Sequence, residues 1–213
     1  MAAKAIATAR GIPYYAVNHL EGHALSPRLV DKVGFPYLLL LVSGGHTQLL
    51  AVHAPGIYER YGTTMDDAAG EAFDKSAKIM GLGYPGGPAI ERIAANGKAG
   101  LVQLPCPLRG ADHCHFSFSG LKTAVATRLA AIEAGDGEAG IADLAAALQA
   151  AIADCLADRA RRAMARFADA HGPGTLVIAG GVAANKAIFT RLETEADKAD
   201  FALSVPPAWL CTD

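Results

Sequence analysis

His19 and His23 stand four residues apart in the stretch Asn18-His19-Leu20-Glu21-Gly22-His23. On one helical turn that spacing places two imidazoles on the same face, with Cβ atoms about 5–6 Å apart. Both can then reach a single metal ion at about 2.0–2.1 Å. Glu21 lies two positions from each histidine and points elsewhere, so it is not placed like the base of an H-E-x-x-H protease helix. Two histidines also fall at this spacing by chance on a partly exposed helix, and a third ligand has to come from a distant part of the chain.

Glycine turns supply a second kind of chemistry. In Ser43-Gly44-Gly45-His46-Thr47 the glycines allow consecutive backbone N–H groups to point at an anion, and Ser43 and Thr47 add hydroxyl donors. A bare Ser-Gly-Gly also makes an ordinary hairpin turn. The loop Gly81-Leu82-Gly83-Tyr84-Pro85-Gly86-Gly87-Pro88 presents Gly86-Gly87 as a flat shelf for a planar or sugar group. Asp74 precedes it and Glu91 follows it. Asp74 is placed to accept hydrogen bonds from ribose hydroxyls, or is a solvated carboxylate on an exposed helix face. Gly180-Gly181-Val182-Ala183-Ala184-Asn185 leaves a strand and opens onto a helix, where α/β folds seat nucleotides. Asn185 offers both a donor and an acceptor, although the full G-x-G-x-x-G spacing is missing.

The elements that must position these groups follow from pattern. Residues 4–10 read as a helix stopped by Gly11, and Tyr14 to Val17 as a short strand. Asn18 then caps the histidine helix, which runs to about Lys32 with Pro27 bending or splitting it. Gly22 inside it suggests close approach to the backbone. Tyr37 to Val42 is an unbroken apolar run, hence a fully buried strand. Gln48–His53 and Tyr58–Thr63 follow as antiparallel strands. A helix starts at Asp66-Asp67 and ends near Gly81, and another starts near Ala89. Residues 97–118 are irregular, and helices cover Leu121 to about Ala134 and about Ala139 to His171. Ile141, Leu144, Leu148, Ile152, Cys155 and Leu156 make the second of these a core helix. Arg159, Arg161, Arg162 and Arg166 near its end suit a solvated face or an RNA-facing patch, the former preferred. Thr175–Ala179 and Phe201–Val205 are the last strands.

The 213 residues are 52% apolar with a net charge of −2, which describes a globular chain with no global basic surface for nucleic acid. The longest strongly apolar run is too short to span a membrane, and the first residues lack an apolar core of signal-peptide length. A soluble cytoplasmic protein is expected. Four cysteines without CxxC pairing suit a reducing compartment. Cys106 and Cys114 with His113 and His115 match no usual zinc spacing.

Six stretches in the same order resemble the tRNA N6-adenosine threonylcarbamoyltransferase (TsaD) family of the actin-like (ASKHA) superfamily. They are Asn18–His23, Val42–Thr47, Asp66–Lys75, Tyr84–Pro88, Phe116–Lys122 and Ala179–Asn185. The resemblance implies an α/β, ribonuclease H-like fold with mixed sheets flanked by helices and an incomplete first domain. Residues 1–35 would be the remnant of that first domain with its metal-binding helix. Residues 36–205 would form the second domain, and 206–213 a return segment. It further implies that His19, His23 and Asp213 hold a divalent metal, Fe2+ favoured over Zn2+. Val42, Ser43, Gly44, Gly45 and His46 would line the threonylcarbamoyl-AMP site, with Asp74 and Asn185 on the adenosine part, Gly87 supporting it and Glu91 nearby. The strands and acidic loop that precede the histidine helix in this family are missing, as is its closing Asn-Gly stretch, so the chain reads as truncated at both ends.

The implied reaction is acyl-type transfer. The exocyclic N6 amine of a tRNA adenosine, 3′-adjacent to the anticodon in tRNAs reading codons that start with A, attacks the activated carbonyl, and AMP leaves. The metal would polarise the phosphate or carbonyl, and backbone amides at Ser43 to His46 would stabilise developing charge. Partners would be tRNA and TsaB-like and TsaE-like proteins, with no membrane. Rival readings are a metalloprotease, a carbamoyltransferase of the hydrogenase-maturation type, and a non-catalytic scaffold.

Overall fold

The computed structural model describes residues 2–211. In chain order the elements are α1 (Ala2–Arg10), α2 (His19–Leu25), α3 (Pro27–Val30), β1 (Tyr37–Val42), β2 (Thr47–Ala54), β3 (Ile57–Thr63), α4 (Ala69–Ile79), α5 (Gly86–Ala94), α6 (Ser119–Glu133), α7 (Ile141–His171), β4 (Thr175–Ala179), α8 (Lys186–Lys198), β5 (Ala202–Ser204) and α9 (Ala208–Cys211). Single 3-10 turns at Ala99–Leu101 and Gly181–Ala184 complete them.

β1 is the centre of a five-stranded sheet in the order β3-β2-β1-β4-β5. It runs antiparallel to β2, pairing Leu40 with Leu49, and parallel to β4, pairing Leu39 with Val177. β3 extends the antiparallel side and β5 the parallel side. All six residues of β1 are fully buried, because alternate side chains enter different cores. Leu38, Leu40 and Val42 join the large core built with α4, α5, α6, α7 and α8. Tyr37, Leu39 and Leu41 join a smaller cluster with Ala24 of α2 and Val33. An apolar run without alternation is what a strand covered on both faces requires.

The structure departs from some of the pattern-based expectations. Tyr14 to Val17 is not a strand: among the described residues nothing pairs with it, and Tyr15 and Val17 are 84% and 81% exposed. Extended backbone becomes a strand only where a neighbour takes its N–H and C=O groups. Of the two outcomes expected at Pro27 the structure has the split: α2 ends at Leu25 and α3 restarts at Pro27. α4 starts at Ala69 rather than Asp66, because Asp66 is engaged elsewhere, and α5 starts at Gly86, so the Gly86-Gly87 shelf is the first turn of a helix. Finally, Arg159 is not on a solvated face. It is 2% exposed, lies beside Asp158 and donates to the carbonyls of Ala111 and His113. A buried guanidinium needs such partners, and here they pin the irregular 102–118 segment to α7.

Candidate functional site

A cavity of about 310 Å³ opens where three chain segments meet. Gly44 comes from the β1–β2 turn. Gly70, Phe73 and Asp74 come from α4, and Tyr84, Pro85, Gly87, Pro88 and Glu91 from the start of α5 and the loop before it. Gly181, Val182, Ala184 and Asn185 come from the connection between β4 and α8. Of the residues read from sequence as substrate contacts, Gly44, Asp74, Gly87, Glu91 and Asn185 line it together.

Backbone proximity makes this junction possible. A Cβ at Gly70 would lie 2.6 Å from the Ser43 carbonyl oxygen and 2.7 Å from Gly44 Cα, so only glycine lets α4 abut the turn. Gly180 has φ +99°, and a Cβ there would stand 2.4 Å from the Val42 carbonyl oxygen. No such contact surrounds Gly22, where an added Cβ would meet open space.

The polar side chains of the cavity double as helix caps. Asp74 Oδ1 accepts the N–H of Gly86 at 2.7 Å and so fixes the start of α5. Glu91 Oε1 accepts the N–H of Lys186 at 2.9 Å, and Asn185 Oδ1 accepts that of Ile188 at 3.1 Å, both at the start of α8. Asn185 Nδ2 donates to Gln149 Oε1 of α7 at 2.8 Å. The N-terminal ends of α4, α5 and α8 therefore converge on the cavity. Helix N-termini carry partial positive charge and suit an anionic group, and each capping residue keeps unused hydrogen-bonding capacity. Gln149 was missed in the sequence, since one polar residue on a core helix gives no periodic signal.

The Ser43–Thr47 turn works differently from the expected four-amide nest. The Ser43 N–H donates to the His46 carbonyl at 2.8 Å, and the His46 N–H donates to Ser43 Oγ at 3.2 Å. Two amides and the serine lone pair are thus spent within the turn. Among the described residues, Gly44 and Gly45 are the turn positions whose amides carry no hydrogen bond. Val42 is fully buried with its side chain in the core, and Ser43, Gly45 and His46 do not line the cavity. Thr47 is fully buried, and its Oγ1 accepts the N–H of Ala69 at 2.9 Å. It caps α4 where Ala68 has no side chain to do so, while Glu71 accepts the N–H of Ala68 at 2.9 Å.

The histidine helix is held on the opposite face of the sheet. Asn18 caps α2, its Oδ1 accepting the N–H of Leu20 at 2.9 Å. Tyr37 donates to the Ala24 carbonyl at 2.5 Å, and burial, followed by nearby Tyr58, pushes its hydroxyl up to about 12. The rings of His19 and His23 lie 4.6 Å apart, centroid to centroid, in an edge-to-face arrangement; His23 is buried and His19 exposed. Glu21 Oε1 accepts from Tyr58 Oη at 2.7 Å and from the Gly56 N–H at 3.0 Å. Burial first, and then this hydrogen bond, raise the Tyr58 pKa. Two neighbouring imidazoles on one turn are a donor pair that fits a divalent first-row ion. Among the described residues no group of three or more His, Cys, Asp or Glu could hold a metal. Asp213, the expected third ligand, lies outside the described residues. Neither histidine lines the cavity.

A β3-β2-β1-β4-β5 mixed sheet with helices on both faces and glycine turns beside a cavity defines an actin-like α/β protein. The same fold is found in the activator of 2-hydroxyisocaproyl-CoA dehydratase from Clostridium difficile, 16% identical with a TM-score of 0.53 over 91% of this chain and 62% of that one. Component A of (R)-2-hydroxyglutaryl-CoA dehydratase from Acidaminococcus fermentans is 14% identical, with a TM-score of 0.53 over 95% and 68%. A family profile, tRNA N6-adenosine threonylcarbamoyltransferase (TsaD), matches residues 1–213, and the chain belongs to that family. Proteins of that description are 58% identical in Maricaulis maris, over 100% of this chain and 57% of the relative. In Sphingopyxis alaskensis the identity is 59%, over 99% and 59%. The chain thus spans less than two thirds of the length of these relatives. Among the described residues no helix is long and apolar enough to cross a membrane.

Proposed function

We propose that this protein transfers the threonylcarbamoyl group from threonylcarbamoyl-AMP to N6 of the tRNA adenosine 3′-adjacent to the anticodon, with tRNA and TsaB-like and TsaE-like proteins as partners. Beyond family membership, the observation that carries this reading is the single cavity shared by Gly44, Asp74, Gly87, Glu91 and Asn185. On this reading Asp74 and Asn185 bind the adenosine moiety, Gly87 lies against it, and three helix N-termini favour the phosphate. The amides of Gly44 and Gly45 are the donors left to meet charge developing on the carbonyl oxygen. The departing AMP is a stabilised anion, so no nucleophilic side chain is required.

His19 and His23, completed by Asp213, would hold the metal, with Fe2+ favoured and Zn2+ the alternative. Such an ion supplies Lewis-acid polarisation when bound. The same helix argues against a protease, since Glu21 is committed to Tyr58 and Gly56 and is not available as a base for metal-bound water.

The test is to incubate the protein with threonylcarbamoyl-AMP, unmodified tRNA and the two partner proteins, then digest the tRNA and quantify threonylcarbamoyladenosine by mass spectrometry. Product that falls sharply with Asn185→Ala supports the reading. Cleavage of a protein substrate with no modified nucleoside would replace it with the peptidase.

A further inference from the structure

Away from the cavity, two thiols meet where the irregular 102–118 segment crosses α7. The S–H of Cys155 donates to the sulfur of Cys106, Sγ to Sγ 2.9 Å. A covalent S–S bond is about 2.05 Å, so the two sulfurs need close by only about 0.9 Å to join. Their settings differ in the way a redox pair requires. Cys155 sits in the core at 3% exposure, while Cys106 is half-buried and within reach of solvent. Arg109 lies on the same segment, and its guanidinium holds Asp154, the neighbour of Cys155, at 2.9 Å.

We propose that Cys106 and Cys155 are a peroxide-responsive thiol pair, with Cys106 the attacking and Cys155 the resolving cysteine. The Cys106 thiolate attacks one oxygen of hydrogen peroxide, displacing hydroxide and becoming a sulfenic acid. The Cys155 sulfur then attacks the Cys106 sulfur, its proton leaves with the hydroxyl as water, and the disulfide forms. Two electrons pass from the thiols to the peroxide, and two thiol hydrogens are lost from the protein.

The electrostatics agree with that assignment. The hydrogen bond from Cys155, opposed by burial and aided by Arg109, holds the Cys106 thiol below its ordinary range. That same hydrogen bond, with burial, pushes Cys155 up. Thiolate character belongs on the attacking sulfur. Cys114 serves as an internal contrast. It is buried, burial raises its pKa, and among the described residues it has no thiol beside it.

The link would tether residues 49 positions apart and lock the 102–118 segment onto α7. Asp154 also holds Arg191 of α8 at 2.9 Å. The bond would therefore form beside the ion pairs that bind α7 to α8, the helix that Asn185 caps.

The test uses the whole chain carrying Cys114→Ser and Cys211→Ser, treated with hydrogen peroxide, digested without reductant and mapped by mass spectrometry. The expected product is a peptide pair joined through residues 106 and 155, two hydrogens lighter than its reduced parts and released by dithiothreitol. Adding Cys155→Ser should stop the reaction at a sulfenic acid on Cys106 that dimedone captures. Adding Cys106→Ser instead should leave Cys155 unmodified. If Cys155→Ser does not fold, the linked peptide in its Cys155-containing parent decides the matter alone. Both thiols remaining free, oxidation of either without the link, or links only between separate chains would overturn the assignment.

Discussion

Asn185 donates its side-chain amide to Gln149 Oε1 at 2.8 Å, so a residue of the long core helix sets the orientation of a residue lining the cavity. With Asn185 Oδ1 accepting from Ile188, both ends of the amide are fixed, and its remaining donor and acceptor face a defined way. Gln149→Leu removes that orientation without touching the cavity wall. Adenylate affinity, read by calorimetry, should fall by about 0.5–1.5 kcal/mol, the net worth of one hydrogen bond. Unchanged affinity would mean that Asn185 does not contact the nucleotide.

Asp74 caps α5 and, on the proposed reading, binds the adenosine moiety, and a pair of variants separates the two. Asp74→Asn keeps an oxygen for the Gly86 N–H and removes only the charge, so stability should hold while adenylate affinity drops. Asp74→Ala strands the N–H of Gly86, a buried residue, and should lose about 1–3 kcal/mol of stability in urea titration as well. Equal stability of the two variants would show that the cap is unimportant.

Thr47 acts on α4 through a single buried hydroxyl. Thr47→Val preserves shape but leaves the Ala69 N–H without its acceptor, and should destabilise the protein by about 1–3 kcal/mol. A urea midpoint equal to wild type would place the α4 cap elsewhere.

Asp66 gives the protein a pH-dependent tie between the end of β3 and α6. Burial opposes its charge, but hydrogen bonds from Ser117, Phe118 and Ser119 outweigh it and hold the carboxyl below the usual range. A carboxyl depressed by folding contributes stability above its unfolded pKa of about 3.9, and loses it as pH falls through the lower folded value. The urea midpoint of wild type should therefore exceed that of Asp66→Asn at neutral pH, with the gap narrowing below about pH 4. A gap independent of pH would reject the assignment.

The metal proposal is tested by content rather than activity. His23→Ala should reduce iron or zinc bound per chain several-fold in elemental analysis, whereas Glu21→Gln should leave it unchanged. An equal loss in Glu21→Gln would move that carboxylate into the coordination sphere. Retained metal in Asp213→Asn would remove the third ligand.

Some of this was written in local pattern. The apolar run Tyr37 to Val42 read as a strand covered on both faces, Asn18 as a cap of the histidine helix, and the three glycine pairs marked segments that reach the cavity. Those features depend on neighbours within a few residues, and periodicity and backbone stereochemistry reveal them. What only the tertiary structure decided involves partners far apart in sequence. Asp66 looked like a helix start until Phe118, 52 residues on, took its carboxylate; Arg159 looked solvated until the carbonyls of Ala111 and His113 surrounded it. Tyr14 to Val17 had strand composition but no pairing neighbour, and Thr47 looked like a donor to a ligand until packing turned it toward α4. A residue's type states which bonds it can make, whereas the fold determines which groups come near enough to make them.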